Sequence, residues 1–395
     1  MDIRYRTVCN FFNPTQVNHQ SDNPFGRITH TLLVIKRNVC FFVFTNCCYL
    51  GKGIYYAVER GTLVAQLKEW TKVFRARKWM KRAEPVLPLW HGYIGYKYGL
   101  FDVLGSGATQ AEAQVRLKQP LTTEALSRWF EVGLAVGHLK KKDLRYTATR
   151  HVLPELSKTD ERSIGFMLSE LMELHLPALF SYPQFLEHGQ QKKFDGEEHG
   201  DIVAETSALV ETVAFPAVRH IIRSQNVTSL LDIGCAYGGY LRKIHEALPE
   251  LRLAGIDIEE SVIAEAKRRD TTGEIDFTVG DIKTFDVKET YDGVMMNNIL
   301  YYFPKEERLR LLEGVRRFVK DDGTVILVTP LRGSEHGAPF SAAFNAFMTL
   351  HENLYPLPGK EELTEQLHAA GFKNVSISPF LKEGAWYIVT ANATS

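Results

Sequence analysis

Apolar positions change their period twice along the chain. Thr31–Leu50 is an almost continuous apolar block, interrupted only by Lys36, Arg37, Asn38 and a few small polar residues. From about Ala57 apolar residues recur every three to four positions, as in Leu63, Leu67, Trp70 and Phe74, which predicts amphipathic helix. Pro88–Leu104 carries a second such stripe through Tyr93, Tyr96, Leu100 and Phe101, stopped by Gly105. Thr109–Leu117 reads as a short polar helix. Thr122 or Thr123 can cap the next, which turns Leu126, Trp129, Phe130, Leu134 and Val136 inward and ends at Gly137. Leu139–Arg150 reads as a two-stranded wing turning at Lys141–Asp143. Over residues 155–222 Ile164, Met167, Leu168, Leu171 and Leu174 share a helical face, with a break expected at His175–Pro177. A polar loop is expected at Gly189–Gly200. Helix resumes over Ile202–Ile222, with a kink expected at Pro216.

From Thr228 the period changes again, to short buried apolar runs alternating with helices. Ser229–Ile233, Leu251–Ile256, Ile275–Val279, Tyr291–Met296 and Gly323–Thr329 read as strands. Tyr240–Leu248, Ser261–Arg269, Lys305–Val319, Ala338–Leu350 and Lys360–Ala370 read as helices, and Asn374–Ser378 and Ala385–Thr390 close the sheet. Such alternation implies a mainly parallel sheet with helices on both faces. The expected fold class is α/β: a Rossmann-like seven-stranded domain over 223–395, preceded by a winged-helix-like helical domain over 57–155. Residues 156–222 are expected to connect them and to wall a substrate pocket, and residues 1–56 to form a poorly structured extension.

Composition narrows the class. The 395 residues carry 47 Lys+Arg against 47 Asp+Glu, a formal net charge of zero, so nothing points to a general nucleic-acid or anionic-membrane binder. Helix Thr122–Val136 has Arg128 but also Glu124 and Glu131, and a solvated turn explains Lys140–Lys142 at least as well as a DNA contact; packing or dimerisation is the favoured reading of the helical domain. Neither apolar half of Thr31–Leu50 reaches the ~18–20 residues of a membrane span. Four of the five cysteines fall in the first 48 residues without C-x-x-C spacing, so no metal site is expected, and the body of the chain reads as a reduced cytoplasmic protein.

The chemistry lies in the turn after Ser229–Ile233. Gly234, Gly238 and Gly239 let a ligand approach the backbone, while the next helix points its N-terminus at it. Asp257, about 20 residues on, ends the neighbouring strand, where it can accept from both ribose hydroxyls. Ala236 stands where a dinucleotide site needs its second glycine, which weakens an NAD reading. Asp232 would repel a pyrophosphate and suits a cofactor with a cationic amine.

These segments resemble the class I S-adenosylmethionine-dependent methyltransferases. LLDIGCAYGG is similar to the family's first motif, GIDIEESVIAEAKRR to its acid-ended second strand, and VGDIKTFDV to the segment that binds adenine. YDGVMMNNILYYFPKEERLRLLEGVRRFVKDDGTVILVTP resembles its fourth strand, helix and fifth strand. The likeness runs over about 216–395. More diffusely, 85–155 resembles the dimerisation domain of small-molecule O-methyltransferases. The resemblance implies S-adenosylmethionine as cofactor. Asp232 with the backbone around Gly234, Cys235, Ala236 and Gly238 would hold the methionine end, Asp257 the ribose, Ile258 the adenine face, Asp281 with Ile282 the adenine amine, and Asn297 would lie under the sulfonium.

The sequence departs from that family at the base. Where many members carry a histidine, this chain reads Leu300–Tyr301–Tyr302–Phe303, and a tyrosine is a poor base near neutral pH. His336, after the fifth strand, is the best spare base. The reading is therefore a cytoplasmic, dimeric methyltransferase of a small molecule, with an oxygen acceptor favoured and no nucleic-acid or membrane partner. The alternatives are N- or C-methylation by the same fold, or an inactive methyltransferase-like or winged-helix regulator.

Overall fold

The computed structural model describes residues 30–36, 39–45, 55–117, 119–285 and 289–395. The chain forms two compact units that divide between Pro85 and Val86, inside the stretch expected to be one helical domain. In the first, β1 (His30–Lys36), β2 (Val39–Thr45) and β3 (Tyr55–Glu59) make an antiparallel sheet, followed by α1 (Arg60–Ala83). These strands fall within the stretch expected to be a poorly structured extension. HTLLVIK and VCFFVFT are rich in β-branched and aromatic residues and pair from Lys36↔Val39 outward. Residues 1–29 of that extension lie outside the described residues.

The second unit opens with α2 (Val86–Lys97) and α3 (Leu100–Leu104), two helices where one stripe suggested one; Gly99 breaks them with φ +66°. Thr109 caps α4 (Gln110–Arg116) through a reciprocal bond with Glu112, and α5 (Thr123–Ala135) follows. β4 (Leu139–Lys142) and β5 (Arg145–Ala148) form the hairpin. Leu100, Phe101, Leu104, Leu126, Trp129 and Phe130 are the core of this part.

α6 (Leu153–Leu156) leads to α7 (Gly165–Ser169), a π-turn (Glu170–His175) and α8 (Leu176–Phe180) in unbroken succession. The break expected at His175–Pro177 is absent. Pro177 falls in the first turn of α8, where a missing N–H disturbs least. After α9 (Tyr182–His188), α10 runs over Gly196–Ser224, six residues earlier than expected, with Pro216 inside it.

Next come β6 (Ser229–Ile233), α11 (Gly239–Ala247), β7 (Arg252–Asp257), α12 (Glu260–Arg269), β8 (Ile275–Val279) and β9 (Tyr291–Asn297). A 3-10 turn (Leu300–Tyr302), α13 (Lys305–Arg316), β10 (Val319–Pro330), α14 (Ala338–Thr349), α15 (Lys360–Ala369), β11 (Phe372–Leu381) and β12 (Trp386–Ala393) complete the chain. The seven strands lie in the order β11-β12-β10-β9-β6-β7-β8, and all run in the same direction except β12, which is antiparallel to both of its neighbours. The chain winds outward from β6 to β8, then returns to β9 on the other side of β6. That reversal at β6 is where open α/β sheets bind ligands, beyond the carboxyl ends of the strands. Both faces of the sheet are packed with apolar side chains, so only its edges and ends are open to chemistry.

Candidate functional site

Every residue of β6 is buried, and the strand delivers the chain into the glycine turn. Gly234 and Gly238 take φ +67° and +71°, the left-handed region that favours glycine. The N–H groups of Gly234 and Cys235 both donate to Ile256 O, at 2.8 and 3.0 Å, tying the turn to β7. Ala236 is also left-handed, at φ +47°, and its N–H donates to Asp257 Oδ2 at 3.0 Å. A charge-assisted bond thus offsets the strain of a residue with a Cβ in this conformation. Asp257 Oδ1 accepts from Glu259 N at 3.2 Å, so backbone donors hold both oxygens.

Asp232 lies within β6 at 2% exposure, and its Oδ1 has no hydrogen-bond partner among the described residues. Burial, then the neighbouring Glu211 and Asp257 carboxylates, push its carboxyl up to about 8. Glu211 comes from α10, packed along α11. A Cβ built on Gly239 would collide with the Glu211 carboxylate, which also pairs with Lys243 at 2.8 Å. The Tyr240 hydroxyl beside them is buried and likewise unpartnered. Cys235 fills the space behind the turn against Gly255; burial raises its thiol, which stays protonated and is no nucleophile.

Asp281 follows β8 and accepts from Lys283 N at 2.9 Å. Ile258 is 61% exposed beside Asp257. Ile282, expected beside a ligand ring, is buried in the core with Leu311, Leu312 and Val315, because the turn after β8 points it inward. Asn297 ends β9; its Oδ1 accepts from Val328 N at 3.1 Å and its Nδ2 is buried without a partner among the described residues. The structure therefore brings Asp232, Gly234, Cys235, Ala236, Gly238 and Asp257 into one continuous constellation. Asp281 and Asn297 lie at the ends of the flanking strands.

A second wall lies beyond β9. Tyr301 is buried with Leu174, Phe347, Met348, Leu354 and Leu357, and burial pushes its phenol well above the ordinary value. On α14 the rings of Phe340, Phe344 and Phe347 stack in succession at 5.9 and 6.2 Å, and Tyr301 meets Phe344 edge-on at 6.0 Å. Arg308, 1% exposed, pins the turn that carries Tyr301. Its Nε donates to Leu300 O and Phe303 O at 3.0 and 3.2 Å, and its fork reaches Pro356 O and the Glu362 carboxylate. His336 is exposed in the loop before α14, and among the described residues its imidazole has no partner. Sequence reasoning missed Glu211 and Tyr240, which no motif marks, and placed His175 only at an expected helix break.

Two hollows of about 400 and 360 Å³ lie elsewhere, one around Arg332, Glu362 and Gln366 and the other around Asp102 and Lys158. The site is assigned by the sheet reversal, the glycine turn and the unpartnered buried groups instead. Among the described residues no three His, Cys, Asp or Glu side chains converge as a metal site, and no helix is long and apolar enough to cross a membrane.

Residues 230–323 match the profile of a family described as Methyltransferase domain. This part of the chain is similar to that family. Strychnine O-methyltransferase of Strychnos nux-vomica is 22% identical over 245 residues, which are 60% of this chain and 65% of that relative. Nodulation protein S of Azorhizobium caulinodans is 28% identical over 26% of this chain and 48% of its own length. The chain thus spans less than two thirds of the curated relatives it matches first. Among solved structures, human N-acetylserotonin methyltransferase in complex with SAM superposes with a TM-score of 0.66 at 14% identity, covering 81% of this chain and 98% of that one. The methyltransferase fold therefore includes the helical segments ahead of the sheet.

Proposed function

We propose that this protein is an S-adenosylmethionine-dependent methyltransferase acting on a small aromatic hydroxyl compound. The observation that carries this reading is Asp232 Oδ1, buried and unpartnered between the Glu211 and Asp257 carboxylates at the glycine turn. A buried acid without a partner is costly, and a cation placed there removes the cost. The amino-acid end of S-adenosylmethionine has such a cation.

Five side chains suit the cofactor, whereas Ile282 is turned into the core. Asp232 and Glu211 would hold the ammonium group, Asp257 the ribose hydroxyls, Asp281 the adenine amine, and Ile258 the ring face. When bound, the cofactor supplies an electrophilic methyl carbon on a sulfonium. Tyr301, Tyr302 and the stacked rings of α14 would fix a flat acceptor in place, and most of the acceleration would come from that positioning.

Self-association is part of the proposal. Trp70, Phe74, Trp79 and Met80 are all exposed on α1, which supports a homodimer, and nothing in the charge balance favours a site other than the cytoplasm. The helices and hairpin over 86–155 support a winged-helix-like module. Its α5 does not favour DNA binding, since Arg128 is paired with Glu131 at 2.6 Å. One observation favours a second reading: Tyr301 stays protonated, and an amine or an activated carbon would need no base there.

Calorimetry with S-adenosylmethionine and S-adenosylhomocysteine tests the reading. Both should bind, and Asp257→Ala should weaken them by about 1–3 kcal/mol through the stranded hydroxyls. A wild-type protein that binds neither overturns it.

A further inference from the structure

Residues five apart on an α-helix point about 140° away from each other, whereas a π-turn, bonded i→i+5, stacks them. Glu170 and His175 are five apart and span the π-turn between α7 and α8. His175 Nε2 lies 3.4 Å from Glu170 Oε1, with the two side chains 19% and 20% exposed. The change of winding is what lets the pair form. π-turns bond less well than α-helix and occur frequently at functional sites.

The pair faces the acceptor wall. The His175 ring stands edge-on to Phe347 at 4.5 Å and Phe344 at 5.8 Å, and Leu174 packs in the cluster that holds Tyr301. Glu170 lies close enough to Tyr301 to help keep its phenol protonated. The pair is thus on the same side as the carboxyl end of β9, where the acceptor would meet the methyl group.

We propose that His175 is the general base for the acceptor hydroxyl and that Glu170 is its positioning residue; this rests on the O-methylation reading above. The carboxylate facing Nε2 favours the tautomer with the proton on Nε2, which leaves the Nδ1 lone pair free. The acceptor O–H bond breaks and its proton goes to Nδ1. The oxygen forms a bond to the methyl carbon, whose bond to sulfur breaks with the electron pair going to sulfur. The products are an aryl methyl ether, a neutral thioether and an imidazolium that Glu170 stabilises until its proton leaves to water. Other titratable groups in this region are Tyr301, His351, Lys192 and His199. His351 is held below the ordinary histidine value, chiefly by burial; its Nδ1 donates to Phe347 O at 2.8 Å, and its ring is buried against Phe194 and Phe347.

The test uses the full chain saturated with S-adenosylhomocysteine, which blocks turnover, and 4-nitrophenol as the probe, whose ionised form is yellow. At about pH 6, bound probe should be yellow in the wild type. In His175→Gln the bound yellow fraction should fall at least about tenfold, with S-adenosylhomocysteine affinity unchanged. In Glu170→Gln the ionisation midpoint of bound probe should move to higher pH. If His175→Gln does not fold, the Glu170→Gln shift decides the question. Equal ionisation in wild type and variants, or no probe binding by the wild type, overturns the proposal while leaving cofactor binding intact. A wild type that fails to bind S-adenosylhomocysteine overturns the underlying function instead.

Discussion

His138 donates a hydrogen bond to His91 across 3.0 Å between their Nδ1 atoms. The direction follows from the other nitrogen: His91 Nε2 faces Trp129 O at 3.1 Å and must donate to it, leaving Nδ1 as acceptor. The His91 ring is fully buried and stacks on Trp129 at 4.2 Å, and Trp129 Nε1 returns a bond to His91 O.

This arrangement makes the helical part acid-sensitive. Burial, then the nearby His138, lowers the His91 imidazole to about 3, whereas the unfolded chain titrates near 6.5. Between those values the unfolded state binds more protons, so stability is present above about pH 6.5 and is lost as pH falls toward 3. The slope should be at most ~1.4 kcal/mol per pH unit for this group. Thermal melts from pH 7 to pH 4 check it, and His91→Phe should flatten the dependence.

Asp232 has the opposite linkage. With its carboxyl at about 8 it is mostly protonated at pH 7 in the ligand-free protein, while an unfolded aspartate ionises near 3.9. Folding takes up a proton in that window, so stability falls as pH rises through it. Asp232→Asn should therefore raise the melting temperature of the ligand-free protein at pH 7 and weaken S-adenosylhomocysteine at least about tenfold. Wild-type binding should release close to one proton, read as calorimetric enthalpies that differ between buffers of different ionisation enthalpy. Identical enthalpies would count against the amine site.

Arg308 is a buried charge whose donors are used on Leu300 O, Phe303 O, Pro356 O and Glu362. Arg308→Ala strands those acceptors and should destabilise the protein by about 3–5 kcal/mol in urea unfolding. Arg308→Lys keeps the charge but loses the fork, and should recover only part of that loss.

His336→Ala should change turnover by less than about threefold, far short of the ~10²–10⁴ of a lost base. The imidazole is exposed and has no partner among the described residues, and the loop is held through its backbone instead, by Ser334 donating to His336 O. A larger loss in steady-state rates would restore His336 as the base.

The sheet and its ligand edge were legible because parallel strands are buried on both faces and read as unbroken apolar runs: SLLDI and RLAGID appear where expected, each ending on the ligand side. Asp232, Gly234 and Asp257 were legible for the same reason, since a fixed spacing carries them. The boundaries of β10 were not. The strand begins at Val319, before Gly323, and slips register against β9 between Val319 and Thr324. Glu211 was illegible because it reaches the turn through packing of α10, which leaves no local pattern. The π-turn was hidden because Leu171 and Leu174 satisfy an α-helical stripe as well, and a change of hydrogen-bond register has no signature in apolar spacing.

The bond from Ala236 N to Asp257 Oδ2 has a consequence for how this chain can vary over generations. The glycine turn and the acid that ends β7 lie far apart in sequence, yet each fixes the geometry of the other. A change at Asp257 would release Ala236, the residue of the turn that carries a Cβ in the left-handed region, along with the hydroxyl acceptor proposed above. A glycine at 236 would lift that dependence. With alanine there, the conformation of the turn depends on the acid that ends β7.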